Sequence, residues 1–359
     1  MNRILIVRLG AIGDVVHTLP AVAVLRRAFP SSHIAWAVER GAAASLLHNK
    51  ALVDQVVELD LRAWRRDPFR RETLAAMRTS LEGLRSDQYD LSIDFQGLLK
   101  SGVIPVLARI ARRVGFTFSA LREPASGLFL TERVEVKGYD HMIRKNLKLV
   151  EHLGCPPAEN FEFPIACDVE DELFAEQQTR SIGGEFAILN PGGGWKTKLW
   201  DERRYASIVD RLWNRLGLRS VIAFGPGEES LADSTVRHTQ TDAALPVKAS
   251  LRQLFQLARR AAVFVGGDTG PSHLAAAAGT PIVALFGPTS SRRHGPFSQD
   301  DIVIERSDLE CRVDCHRRKC DHCSCMDLQL EVVWQGILTR LKRRTNAREG
   351  LAPSHSHAS

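Results

Sequence analysis

The feature that most constrains this chain is an alternation, met twice, of short apolar runs with segments of helical spacing. In the first half, residues 4–7, 34–38, 56–59 and 91–94 form short runs rich in Ile, Val and Leu. Between the first two, Val15, Leu19, Val22 and Leu25 recur at helical spacing from Asp14 to Ala28, and Pro30 stops the pattern. Strands joined by helices in this way lie parallel, because the helix carries the chain back to the edge from which the previous strand started. The expected fold class is therefore α/β.

A second series follows, with strands at 186–190, 220–224, 262–266 and 281–286 and helices at 201–216, 251–260 and 271–278. An acidic helical stretch at 169–174 and the run Ser181-Ile182-Gly183-Gly184 separate the two series, the latter with a composition suited to a linker. The expectation is two Rossmann-like domains, 1–178 and 179–345, facing one another across a cleft, with a polar, disordered tail at 346–359. A chain of 359 residues is long enough to close two apolar cores.

The balance of 44% apolar and 25% charged residues excludes a disordered or membrane-spanning chain and fits an ordinary globular protein. The apolar start, Met1 to Val7, is broken by Arg8 and lacks a small-residue cleavage site, so it reads as a strand and not as a signal peptide. No stretch approaches the roughly 18–20 apolar residues needed to cross a bilayer, and a cytoplasmic location is expected. A net charge of +6 favours acidic partners without choosing among them. Part of the excess is local: Arg62, Arg65, Arg66, Arg70 and Arg71 crowd one stretch, and Lys342, Arg343 and Arg344 another. Such runs also occur simply as solvated faces.

At the first strand-to-helix turn stands Gly10-Ala11-Ile12-Gly13-Asp14, where glycine permits a tight turn and helix amides can face a ligand. Glu39 ends the second run, as the ribose-binding acid of a dinucleotide site does, but the glycine spacing is wrong for that fingerprint and NAD binding is rejected. Asp14 has two readings: a helix N-cap that satisfies orphan amides, and a general base with His17 one turn along to orient or share its proton. The two are compatible. In the second half, Gly267-Asp268-Thr269-Gly270-Pro271-Ser272-His273 leaves a strand and opens a helix with Pro271 at its first position, which makes a ready anion site. Asn190-Pro191-Gly192-Gly193-Gly194-Trp195-Lys196-Thr197-Lys198 and Gly225-Pro226-Gly227-Glu228-Glu229 end strands of the same sheet, at the edge where open α/β sheets bind ligands. The lysines suit phosphate oxygens, and Glu228 or Glu229 suits a ribose or simply begins the next helix.

Five cysteines, Cys311, Cys315, Cys320, Cys323 and Cys325, crowd one segment. Only Cys320 and Cys323 have the Cys-x-x-Cys spacing of common zinc modules, so no metal ligand is assigned, with zinc at this cluster as the alternative. No Asp-x-Asp is present to clamp a metal-bound nucleotide sugar.

Two segments, Ile4 to Pro20 and Gly267 to Ala276, resemble the lipopolysaccharide heptosyltransferases of glycosyltransferase family 9, and the resemblance runs over most of residues 1–340. Trp64-Arg65-Arg66, Asp94 to Ser101 and Arg122-Glu123-Pro124-Ala125-Ser126 are most similar to the first heptosyltransferase of the pathway, whereas the glycine-rich loop and the cysteine cluster depart from it.

The resemblance implies a GT-B fold and an inverting transfer of heptose from ADP-heptose to the acidic sugar Kdo on lipid A, with no cofactor required. Asp14 would be the base, and Lys198 would stabilise the departing diphosphate. Gly13, Lys196, Glu228, Glu229, Asp268, Thr269, Gly270, Ser272 and His273 would bind the donor. Arg62, Arg65, Arg66, Gln96 and Arg122 would bind the acceptor, with peripheral contact at the cytoplasmic face of the inner membrane and no nucleic-acid partner. Three other readings stay open: a family member acting on another glycan, a nucleotide-sugar epimerase, and a basic nucleic-acid-binding protein without catalytic activity.

Overall fold

The computed structural model describes residues 1–137, 140–312, 315 and 319–350. The chain divides into two compact units, Met1–Ala166 and Cys167–Ser359. In the first, β1 (Arg3–Val7), β2 (His33–Glu39), β3 (Gln55–Leu59), β4 (Leu91–Asp94), β5 (Arg112–Phe116) and β6 (Glu132–Val134) form a parallel sheet in the order β3-β2-β1-β4-β5-β6. In the second, β7 (Phe186–Asn190), β8 (Arg219–Phe224), β9 (Ala244–Lys248), β10 (Val263–Gly267), β11 (Ile282–Phe286) and β12 (Ile302–Glu305) are parallel in the order β12-β11-β10-β7-β8-β9. Both are the doubly wound order, in which the chain starts in the middle, runs to one edge and returns to build the other.

The helices of the first unit are α1 (Ile12–Val16), α2 (Leu19–Ala28), α3 (Leu61–Arg66), α4 (Arg71–Ser86), α5 (Leu99–Leu107) and α6 (Met142–Glu151). Those of the second are α7 (Val169–Ile182), α8 (Glu202–Leu216), α9 (Glu229–Arg237), α10 (Leu251–Ala258), α11 (Gly270–Ala277), α12 (Ser291–His294) and α13 (Leu330–Gly350). None of the described helices is long and apolar enough to cross a membrane. Residues 351–359 of the expected tail lie outside the described residues.

The central strands are apolar throughout because both faces are covered: Ile4, Leu5, Ile6 and Val7 of β1 and Phe186 to Leu189 of β7 are all buried. Edge strands carry the exceptions. Pro246 sits in β9, where the missing N–H faces no further strand. Several helices begin on polar caps that satisfy their first amides, as Asp201 does for Arg203, and as Ser250 and Gln253 do reciprocally for α10.

Four local expectations are corrected. The helical pattern over 14–28 is two helices, broken at His17 and Thr18, with Pro20 in the first turn of α2 where its missing N–H does no harm. Asp14 does not occupy the N-cap: that position is Ala11, and Asp14 lies three residues in, with its Oδ2 accepting from the Ala11 N–H at 3.1 Å. Ser181 and Ile182, read as linker, complete α7, which packs on α10, and Gly183 closes the helix at φ 77°, a left-handed conformation that suits glycine. Pro271 is the second residue of its helix, one place later than expected.

Candidate functional site

In each sheet the strand order reverses between the unit's first strand and its fourth, which lie side by side, and the loops leaving those two strands part there. That gap is the usual ligand site of an open α/β sheet. Some of the predicted residues stand at these gaps, Asp14 and Gln96 at the first and Lys198, Asp268, Thr269, Gly270, Ser272 and His273 at the second.

In the first unit the gap lies between the ends of β1 and β4. Gly10 takes φ 146°, which a side chain would resist, and the chain turns there into α1. The end of β1 is pinned from both sides: the Trp36 indole N–H donates to the Arg8 carbonyl at 3.1 Å, and the Leu9 N–H donates to Gln96 Oε1 at 3.0 Å. Asp14 stands on this turn, partly exposed, with its Oδ1 2.6 Å from Arg8 Nη2. His17 is buried, edge-on to His141 with ring centroids 5.3 Å apart.

The other side of the gap is built by β4. Asp94 is buried and accepts from the Gln96 and Gly97 N–H groups at 2.8 and 3.1 Å and from the Ser101 hydroxyl at 2.9 Å. Burial pushes its pKa up, against those hydrogen bonds and the charge of Arg8. Of the expected acceptor residues, Gln96 thus joins Asp14 at the gap. Arg62 and Arg65 reach Glu39 at the end of β2, at 3.4 and 3.8 Å, and Lys100 joins them at 3.5 Å. Arg66 turns instead to Asp67 at 3.0 Å, and Arg122 is exposed ahead of the Pro124–Phe129 turn.

In the second unit the gap lies between the ends of β7 and β10. The glycine-rich loop after β7 is clamped at both ends. Asn190 Nδ2 donates to the Ala223 carbonyl at 2.8 Å, while buried Trp200 donates to the Leu328 carbonyl at 3.1 Å and stacks edge-on with Tyr205. Across from it, Gly267 lets the chain pass close, since a Cβ there would lie 3.2 Å from the Lys198 carbonyl. Lys198 Nζ meets Asp268 Oδ2 at 2.6 Å and the Asp268 carbonyl at 2.9 Å, and it lies 4.6 Å from the centroid of the Trp195 ring.

Asp268 is the hub of this site. Beyond Lys198, its carboxylate accepts from Thr289 Oγ1 at 2.6 Å and lies 3.1 Å from His273 Nε2. Burial alone would raise its pKa, but the hydrogen bond and charge of His273, together with Lys198 and His294, outweigh burial and hold the group far below the usual carboxylate range. Asp268 is therefore an anion saturated by its own neighbours. It fixes the cation and the imidazole in place. Thr269 and Ser272 are buried at the start of α11, and the Ser272 hydroxyl donates to the Gly267 carbonyl. Gly270 opens the helix, whose first amides make the positive end of its dipole.

The remaining residues expected at the donor site divide. Glu228 lies against the loop after β7: a Cβ on Gly192 would come within 2.2 Å of its Oε1, and its Oε2 accepts from the Gly225 N–H at 3.0 Å. Glu229 turns to Lys248 at 3.0 Å and to the Gly227 N–H at 2.8 Å. Lys196 is exposed on the loop, and Gly13 is buried in α1, in the first unit.

The cysteines of the segment are free thiols. Cys323 Sγ donates to the Cys320 carbonyl at 3.3 Å, and backbone N–H groups of Cys323 and His322 draw the Cys320 pKa down. Burial pushes Cys323 and Cys325 up. Among the described residues, no group of three or more His, Cys, Asp or Glu side chains is arranged to hold a metal ion.

Two residues of the first gap, Arg8 and Asp94, had no site role in the sequence reading. A charged residue closing an apolar strand was their only mark.

Residues 77–324 match the family described as glycosyltransferase family 9 (heptosyltransferase). Lipopolysaccharide heptosyltransferase 1 of Salmonella typhimurium is 30% identical over 306 residues, 84% of this chain and 93% of that one. Two solved structures, E. coli heptosyltransferase WaaC with ADP and the same enzyme with ADP-2-deoxy-2-fluoro heptose, are each 27% identical, with TM-scores of 0.71 and 0.70. Each alignment covers 84% of this chain and 92% of the other. The fold is of the GT-B class, and this chain belongs to glycosyltransferase family 9, the heptosyltransferases.

Proposed function

We propose that this enzyme transfers heptose from ADP-heptose to the Kdo sugar of lipid A in lipopolysaccharide synthesis, inverting the anomeric centre. The observation that carries the reading is the chemistry of the second gap, where the Lys198 ammonium and the amide end of α11 stand together on one sheet edge. Both suit a diphosphate. ADP bound to a relative 27% identical supports the same ligand class.

In this reading the second unit binds the donor and the first binds the acceptor. Asp14 takes a proton from the acceptor hydroxyl as its oxygen bonds to the anomeric carbon; the bond from that carbon to the diphosphate breaks, and ADP leaves with the electron pair. Diphosphate departs without a general acid, so one carboxylate suffices where a glycosidase needs two. Lys198 and the α11 amides stabilise the charge that develops on the leaving oxygen. Asp268 and His273 act by holding that arrangement in place. The arginines of α3, gathered around Glu39, offer positive charge to the acceptor's carboxylate and phosphates and to the anionic membrane face that carries it.

The test is incubation with ADP-heptose and Kdo-lipid A, followed by mass spectrometry of the lipid. The expected outcome is a lipid heavier by one heptose. Transfer only to a different core acceptor would overturn the acceptor assignment, and transfer to none would overturn the activity.

A further inference from the structure

Arg8 is 3% exposed and directly follows β1, whose buried residues Ile4 to Val7 are aliphatic. A guanidinium in such a place needs a reason, because a buried charge is stabilising only when it is fully paired, and an apolar side chain would close the strand at less cost. Its pairing is incomplete as well: Nε has no hydrogen-bond partner. What the side chain does accomplish is a connection. Nη1 donates to the Phe95 carbonyl beyond β4, while Nη2 holds Asp14 Oδ1 at 2.6 Å. The second oxygen of Asp14 accepts from the Ala11 N–H at 3.1 Å, so both carboxylate oxygens are fixed while 27% of the side chain stays exposed. Asp94, buried on β4, supplies a compensating charge near Arg8.

We propose that Arg8 is a positioning residue for the transfer reaction: anchored to the Phe95 carbonyl, its guanidinium holds the Asp14 carboxylate in a single orientation for the acceptor hydroxyl. The inference rests on the reading of Asp14 as the base. Arg8 does not touch either substrate; it acts through Asp14 alone, and that is what separates it from the arginines of α3.

The experiment compares Arg8→Gln, Arg8→Lys and Asp14→Asn, alone and in the pair R8Q/D14N, by steady-state kinetics and ADP titration. Arg8→Gln is expected to lower kcat about 10- to 100-fold through lost orientation. Its donor KM and ADP affinity should stay within about two-fold, the pattern of an interaction used in the transition state and not in ground-state binding. Arg8→Lys, which keeps a cation against Asp14, should restore most of the turnover. In the D14N background, Arg8→Gln should cause no further loss. Since Arg8→Gln leaves Asp94 without its counter-charge, the pair R8Q/D94N gives the same reading if the single variant does not fold, with ADP titration reporting the folded state.

Full turnover in folded Arg8→Gln or R8Q/D94N would overturn the proposal, as would an equal loss in Arg8→Lys and Arg8→Gln accompanied by weakened ADP binding. If Asp14→Asn itself turns over normally, the reading of Asp14 as the base fails first. If Asp14→Asn is inactive while Arg8→Gln turns over normally, the positioning role alone fails.

Discussion

At the residue scale the second unit turns on one ammonium group. Lys198 neutralises Asp268 at 2.6 Å and is 14% exposed, so it is ordered before any ligand arrives. In the proposed reaction the same cation serves the diphosphate, and its fixed position is worth more than its charge alone, since preorganised donors need no rearrangement at the moment of reaction. Lys198→Ala removes both services. The variant should bind ADP at least about tenfold more weakly or turn over about 10²-fold more slowly, as loss of a transition-state donor does. It should also be about 1–3 kcal/mol less stable, because a buried anion loses a partner. Calorimetric titration with ADP and a denaturant melt measure the two effects separately. Unchanged ADP affinity together with unchanged turnover would remove Lys198 from the site.

The elements explain how such residues meet. β7 and β10 are neighbours in the sheet but far apart in the chain, and the loop after β7 must lie flat against the turn after β10 for Lys198 to reach Asp268. Gly267 makes that approach possible, and Asn190 and Trp200 hold the ends of the loop. Gly192 has a parallel function toward Glu228: Gly192→Ala would drive a methyl group into its carboxylate. That carboxylate is the far end of a flexible side chain, so it can move while the backbone stays. Gly192→Ala is therefore expected to fold normally and to weaken ADP binding about 10-fold, on the order of a lost ribose hydrogen bond to a charged group. Normal ADP affinity in the variant would take Glu228 out of the donor site.

Legibility in the sequence followed the same division. The central strands were readable because parallel strands covered on both faces become continuous apolar runs, as Ile4 to Val7 and Phe186 to Leu189 do. β5, with Arg112 and Arg113, and β9, with Pro246 and Lys248, carry no such run, and pairing with a neighbour decides their state. The glycine turns around Asp14 and Thr269 announced themselves by residue type. The partners of their side chains did not, since the Lys198–Asp268 pair spans 70 positions and the contact of Arg8 with Phe95 spans 87.

For the whole molecule, one topology used twice places two different chemistries at equivalent points. The first gap carries a carboxylate held by a buried arginine, and the second carries a cation held by a buried carboxylate. The proposed transfer needs both, one on the acceptor's proton and one on the donor's diphosphate. The two halves should therefore fail independently. The most direct measurement of that claim is the Asp14→Ala variant, assayed for heptose transfer and for ADP binding in the same preparation. The account predicts turnover lowered on the order of 10²- to 10⁴-fold, as for loss of a general base, with ADP affinity unchanged. Near-normal turnover in Asp14→Ala would contradict it.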